Sequence, residues 1–283
     1  MTDHFPHTIR SLAYQMSRTP PIHIGEWQST DVSKSQLHAT YEMTDVTLRL
    51  AIPETIEQLS TGMYPFVNEV WANEHFLERV GGMPVNPPPS HERWPWSRHN
   101  GNHISADQFS HTYPERMWPK HAGNCHGPYA YAPSEAGGIQ AVDQHGQGDV
   151  THVCHGHKGI RFMYGDLSDV VDLLIRNPLT RQAYLPIWFP EDTGAHHRMR
   201  VPCTLGYHFM VRNNQLSCRY YMRSCDLVRH FADDVYLAAR LTQWICGHMN
   251  DGGVRVTPGQ LVMHIASLHA FVGDAYRLGE MTR

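Results

Sequence analysis

Cys203 follows a proline, and Arg223-Ser224-Cys225-Asp226 comes twenty residues later. A free thiol with a pKa near ~8.5 is only a few per cent thiolate at neutral pH, and a neighbouring guanidinium raises that fraction. An arginine leading into a helix can also meet an anion, because a helix N-terminus favours negative charge. These residue types at this spacing point to a nucleophilic thiolate beside a bound anion. A cysteine on a strand is more often a core residue, and Cys218 and Cys246 are read that way.

The elements that must position this pair can be read around it. Tyr207 to Val211 and Leu216 to Met222 form two strands joined through Asn213-Asn214, a favoured hairpin turn. A long helix is predicted from about Asp226 to His248, with Leu227, Val228, Phe231, Val235, Ala238, Leu241 and Ile245 on one face and Gly252-Gly253 as its stop. Upstream, Asp166 caps a helix that buries Leu167, Val170, Val171 and Leu174, with Pro178 beyond its end. Arg181 to Trp188 and Gln260 to His269 read as strands. Nearer the start, Ile22 to Ile24, Leu37 to Tyr41 and Val46 to Ile52 read as short strands, and Met63 to Val80 as a helix ended by Gly81-Gly82. Residues 83–112 and 119–158 read as long loops. Strands and helices do not alternate regularly, so the expected class is α+β, a single domain over 1–283 with insertions at about 83–112 and 119–158.

Hydrophobic residues make up 41% of the chain and the net charge is -4, which argues against a long basic surface for nucleic acid and leaves room for a local phosphate pocket. No apolar run approaches a membrane span, and MTDHFPHTIR lacks the apolar core of a signal peptide, so a cytoplasmic location is expected. The six cysteines are expected as thiols. Most of the 22 histidines fall in polar, Gly- or Pro-rich stretches and read as surface loop residues.

Over residues 178–248 the sequence resembles the thymidylate synthase superfamily. The resemblance rests on Val201-Pro202-Cys203, on Leu216-Ser217-Cys218, and on Tyr221, Arg223-Ser224 and Asp226, with no gap needed between the cysteine and the arginine. It implies a homodimer through the sheet. Asn177-Pro178-Leu179-Thr180-Arg181 resembles the phosphate-binding segment, with Arg181 reaching the partner's site and Gln182 in place of a second arginine. Glu74, with Gly81 seven residues on, resembles the catalytic glutamate, and Tyr113, before Trp118, the active-site tyrosine. Arg18 resembles a phosphate-binding arginine, and His269 the residue that contacts the sugar hydroxyl, although Phe271 stands where the family has tyrosine. Arg223 and Ser224 would hold the 5'-phosphate, and Asp226 the pterin. The implied reaction adds the Cys203 thiolate to C6 of a pyrimidine nucleoside monophosphate, so that C5 can attack the methylene of methylenetetrahydrofolate while Glu74 manages protons through water.

One departure bears on the base. Thymidylate synthases carry asparagine eight residues after the aspartate of the Arg-Ser-x-Asp segment, and here that position is Asp234. Deoxycytidylate hydroxymethylases share this aspartate, so the site pattern is closest to (deoxy)cytidylate 5-hydroxymethylases. A carboxyl group accepts from the cytosine amino group, and its protonated form donates to N3. On a helical wheel Asp234 falls in the apolar arc and Asp233 opposite, so Asp234 is expected to be functional and Asp233 solvated. Thr204 replaces the family's histidine after the cysteine, and Gly279 to Arg283 lacks an apolar closing tail, which favours water addition and a hydroxymethyl product.

Three alternatives remain from the sequence: methylation of dUMP or of dCMP, a catalytically dead scaffold, and a metal- or nucleic-acid-binding module. For the last, Cys125-His126 with Cys154-His155 and His157 could supply zinc ligands, and His91 to His103 could stack on bases, although packing of Trp94 and Trp96 accounts for that stretch. No metal is assigned to the thiol site.

Overall fold

The computed structural model describes residues 5–27, 30–63, 67–94, 104–105, 108–122, 129–133, 139–143, 164–193 and 200–283. Its main sheet has six strands: β1 (Thr40–Ala51), β2 (Tyr184–Pro186), β3 (Thr204–Arg212), β4 (Gln215–Met222), β5 (Cys225–Asp226) and β6 (Thr257–Phe271). The long β6 runs antiparallel to β1 on one side and parallel to β4 and then β5 on the other. β3 and β2 extend the sheet in antiparallel fashion. Described helices are α1 (Phe5–Met16), α2 (Ile56–Met63), α3 (Glu69–Val80), α4 (Tyr113–Met117), α5 (Leu167–Arg176), α6 (Phe231–Asp251) and α7 (Ala275–Met281). The mixed sheet with packed helices is α+β, as expected. Among the described residues no helix is long and apolar enough to cross a membrane.

The β3–β4 hairpin turns on Asn213 and Asn214, whose φ angles of +52° and +57° suit the tight turn that matches strand twist. Pairing runs from Arg212↔Gln215 to Gly206↔Tyr221, where the register shifts so that Thr204 faces Met222. In an unbroken register Arg223 would have faced Thr204. The bulge instead sets it opposite Cys203, and the Arg223 N–H donates to the Cys203 carbonyl at 2.9 Å. Tyr207, Phe209 and Val211 of β3, with Leu216, Cys218, Tyr220 and Met222 of β4, are at most 3% exposed and form a core with α6. Each such large side chain contributes about 1.5–3 kcal/mol through burial. Cys218 and Cys246 are core residues, as expected.

Several boundaries differ from the sequence reading. α6 begins at Phe231, not Asp226, because the Asp226 carboxylate accepts the backbone N–H groups of Val228 and Arg229 and makes a separate turn. The helix expected over Met63 to Val80 is described from Glu69 to Val80, capped by the Asn68 side chain on the Trp71 N–H, and a separate helix, Ile56–Met63, ends where it was expected to begin. The strand expected over Arg181 to Trp188 shortens to Tyr184–Pro186, and Thr40–Ala51 is one continuous strand. The stretches read as loops contain short ladders, Ile104–Ser105 with Gln108–Phe109 and Tyr129–Pro133 with Ile139–Asp143. α5 has the expected Asp166 cap, completed by Asp169 into a capping box.

Gly206 lets β2 approach the bulge. A Cβ there would lie 2.3 Å from Tyr184 Oη and 2.7 Å from the Leu185 carbonyl oxygen. Gly206→Ala should therefore destabilise by about 1–3 kcal/mol. Gly247→Ala, in open space on α6, should stabilise by about 0.5–1 kcal/mol. Urea denaturation midpoints measure both.

Candidate active site

A cavity of about 570 Å³ lies where β4 and β6 end and β1 and β3 begin. The strand ends bring Cys203, Arg223, Ser224, Asp226 and His269 to its wall. The first turn of α6 adds Asp233 and Asp234, and α3 presents Trp71, His75 and Arg79, spaced four residues apart on one face. Tyr113, the first residue of α4, completes this part of the lining.

Arg223 is fixed at the thiol by three contacts. Its Nε donates to the Pro202 carbonyl at 2.9 Å, and its Nη2 donates to the Val201 carbonyl at 3.1 Å and towards Cys203 Sγ at 3.9 Å. Burial pushes the Cys203 thiol up; Arg223 and Arg200 pull it down, while Asp234 and Asp226 add to the rise. Ser224 Oγ lies 3.4 Å from His269 Nδ1. Asp226, 5% exposed, is raised by burial and spends one oxygen on its backbone turn.

Three of the cavity's histidines, His75, His111 and His230, are held neutral. Burial lowers His75 to about 4 and His111 and His230 to about 3, with arginines nearby adding to the effect. His75 Nδ1 lies 3.1 Å from Glu78 Oε2 and 3.2 Å from Ser90 Oγ, so Nδ1 carries the proton and Nε2 is left as an acceptor. The lining also holds Arg79, Arg200, Arg223 and Arg229. Arg79 is 5% exposed, lies 4.2 Å from the Tyr113 ring centroid and has an Nε without a hydrogen-bond partner among the described residues. Such a buried donor suits a ligand carbonyl or anion.

Asp233 corrects the sequence reading. It was expected to be solvated, yet it is 7% exposed and accepts the Asn68 N–H at 3.0 Å. The helical wheel considered α6 alone, whereas the N-terminus of α3 covers the other side. Burial pushes Asp233 up to about 7 and Asp234 up to about 6. Asp234 Oδ1 accepts from Tyr220 Oη at 3.4 Å, and its Oδ2 lies 3.7 Å from Cys225 Sγ.

Residues 139–280 match the family model described as thymidylate synthase. The chain belongs to the thymidylate synthase family. It is similar to the thymidylate synthase of Rhodopseudomonas palustris (29% identical over 110 residues, 38% of this chain and 35% of the relative). It is also similar to that of Sphingopyxis alaskensis (36% over 89 residues, 30% and 28%). A third relative is a putative bifunctional dihydrofolate reductase-thymidylate synthase of Oryza sativa (29% over 121 residues, 42% and 23%). The chain spans about a third or less of the length of these curated relatives.

Against the family pattern, Cys203, Tyr113, Arg223, Ser224, Asp226, Asp234 and His269 come together at the cavity. Glu74 does not. Its side chain is 39% exposed and pairs with Arg93 at 2.5 Å, because the cavity-facing row of α3 passes through His75 instead. Nor does Arg18, which is exposed at the end of α1 and donates to Tyr14 Oη at 2.9 Å. Arg181 is exposed outside this cavity. Phe271 lines the cavity beneath the Arg229 guanidinium, 4.7 Å from its ring centroid. Trp94 stacks on His230 with centroids 5.4 Å apart, which agrees with a packing role; Trp96 lies outside the described residues. Cys125, His126, Cys154, His155 and His157 also lie outside them. Among the described residues no His/Cys/Asp/Glu group could hold a metal.

Sequence reasoning missed His75, Arg79 and Tyr220. The four-residue spacing of Trp71, His75 and Arg79 was an available signal, but His75 and Arg79 are polar and were not counted as an inward face.

The raised acids make stability pH-dependent. An aspartate whose folded pKa lies near 7 loses protons in the unfolded chain from about pH 4 upward, so its burial weighs against folding increasingly as pH rises to 7, by roughly 4 kcal/mol at most. Asp233→Asn keeps an acceptor for the Asn68 N–H. It should raise the melting temperature at pH 8 and lose that advantage by pH 4, as scanning calorimetry would read.

Proposed function

We propose that this chain transfers a one-carbon unit from methylenetetrahydrofolate to C5 of a cytosine nucleoside monophosphate, giving the hydroxymethyl product. The carrying observation is that Cys203, backed by Arg223, shares one cavity with the carboxyl group of Asp234. C5 of a pyrimidine becomes enamine-like once a thiolate has added at C6. Asp234 has a pKa near 6, so both of its protonation states are accessible. As an acid it donates to N3, and as a carboxylate it accepts from the cytosine amino group. Uracil would present a mismatched edge, and mispaired buried polar groups can discriminate by about 10⁴-fold.

The folate, when bound, supplies the electrophilic methylene carbon. The lining fits such a flat heterocycle: Trp71 and Trp94 offer aromatic faces, Trp94 Nε1 is a buried donor without a partner among the described residues, and Asp226 can accept ring N–H groups. Arg223 and Ser224 are assigned to the nucleotide phosphate and His269 to the sugar. Arg181, exposed beside the exposed Leu179 and Tyr184, is assigned to the phosphate bound by a second copy packed on the sheet. The three aspartates of the lining, Asp226, Asp233 and Asp234, support a site that keeps water for hydroxymethyl transfer. Methylation of dUMP is the second reading, which family membership alone favours equally.

Tritium release from C5-labelled dCMP, CMP and dUMP, with and without methylenetetrahydrofolate, tests the proposal. Release should require the folate and favour a cytosine nucleotide, and product mass should show a hydroxymethyl group. Asp234→Asn should move preference towards dUMP by at least about 10²-fold; an unchanged preference would overturn the cytosine assignment. Cys203→Ser should abolish turnover while nucleotide binding survives, and undiminished turnover would refute the covalent mechanism.

A further inference from the structure

Three hydrogen bonds connect the residue after the nucleophile to the base-reading acid. Tyr113 Oη lies 3.0 Å from Thr204 Oγ1, Thr204 Oγ1 lies 2.8 Å from Tyr220 Oη, and Tyr220 Oη lies 3.4 Å from Asp234 Oδ1. Thr204 and Tyr220 are both 0% exposed, so bulk solvent does not reach these hydroxyls. Each ring is packed on one face. Tyr220 stacks on Tyr207 with centroids 4.6 Å apart, and Arg79 covers the Tyr113 ring.

The chain has one direction. Asp234 Oδ1 accepts, so Tyr220 must donate to it. Each hydroxyl has a single proton, so Thr204 then donates to Tyr220, and Tyr113 to Thr204. The acceptor side of Tyr113 Oη is left for the cavity that this residue lines.

We propose that Thr204 and Tyr220 form a hydroxyl relay that carries the proton leaving C5 from Tyr113 to Asp234. This rests on the reading above. Asp234 gives its proton to N3 as the Cys203 thiolate forms its bond to C6, and is left as a carboxylate. Once C5 has bonded to the one-carbon unit, the C5–H bond breaks and its electrons return to the ring. That proton goes to Tyr113 Oη, the Tyr113 proton to Thr204, the Thr204 proton to Tyr220, and the Tyr220 proton to Asp234. Three hydroxyls each gain and lose one proton, no phenolate accumulates, and Asp234 is an acid again. The N3 proton passes to the folate amine as its bond to the one-carbon unit breaks. Water adds to the exposed methylene with loss of its second proton to the folate, and the Cys203 thiolate leaves C6. The concerted path answers a constraint of the site, because burial holds both tyrosines above the usual phenol range and neither can stay ionised.

The test compares Thr204→Val, Thr204→Ser and Tyr220→Phe with the unaltered chain. Folate-dependent tritium release from C5-labelled nucleotide, its solvent isotope effect over mixtures of light and heavy water, and nucleotide affinity are measured in each. Thr204→Val and Tyr220→Phe should slow release by about 10²-fold, the scale of a positioned proton transfer, with nucleotide affinity kept within about threefold, roughly 0.65 kcal/mol. Thr204→Ser should restore most of the rate. The isotope effect should bend with heavy-water fraction in the unaltered chain, as several protons move together, and become linear or vanish in the broken relays. Release by Thr204→Val at the unaltered rate, or a Thr204→Ser variant as slow as Thr204→Val, would overturn the relay. Should Thr204→Val fail to fold, Tyr220→Phe decides alone by the same criteria. Absence of tritium release from the unaltered chain would instead overturn the functional reading.

Discussion

A single backbone hydrogen bond, from the Arg223 N–H to the Cys203 carbonyl, depends on a bulge that most of the site then inherits. The hairpin turn at Asn213-Asn214 sets a register in which arginine and cysteine would miss each other by one residue. The bulge removes that offset. It also leaves Thr204 inward beside Tyr220, because Thr204 pairs with Met222 where an unbroken ladder would have placed Leu205. Gly206 is the local condition for this arrangement, since β2 passes too close for any side chain. The arginine–thiol contact and the buried hydroxyl chain are thus two consequences of one irregularity in the sheet.

The cavity's electrostatics follow from burial more than from the count of charged residues. His75, His111 and His230 are deprotonated by desolvation and by neighbouring arginines, so they act as acceptors or as neutral donors. Asp233 and Asp234 rise towards neutrality for the same reason, with Arg79 opposing the rise. Both sit in the first turn of α6, where the helix dipole favours an anion. That placement favours their carboxylate forms by about 0.3–1 kcal/mol each. A pair of acids poised in this way can change protonation during a reaction without the large reorganisation that a fully solvated charge requires.

What the sequence made legible was local. The hairpin, its turn and the Cys203–Arg223 spacing depend on residues close along the chain, and their geometry is set by strand period and turn type. The Asp166 cap and the core role of Cys218 and Cys246 were readable for the same reason. Asp233 was not, because a helical wheel describes one helix and cannot know that the N-terminus of α3 covers its polar side. Glu74 shows a related limit. Spacing to Gly81 matched a family pattern, but a helix advances about 100° per residue, so one position separates a cavity-facing side chain from an exposed one. Tyr220 alternates inward like any core aromatic, and its hydroxyl gains meaning only from Thr204 and Asp234, which lie on two other elements.

The proposed relay changes what Asp234 selects. If the acid only read the base, its identity would affect affinity and preference. As the terminus of a hydrogen-bonded chain it also sets whether Tyr113 can accept a proton, since each hydroxyl donates only if the next one does. An amide at this position still accepts a hydrogen bond through its oxygen, but it cannot take a proton as a carboxylate does. A site with an amide must dispose of the C5 proton by another route, whereas one with an acid can return it to the group that started the cycle. Choice of base and choice of proton path are therefore coupled through one side chain. That coupling gives a physical reason for an aspartate here to be accompanied by a threonine after the nucleophile and a tyrosine across the hairpin from Tyr207.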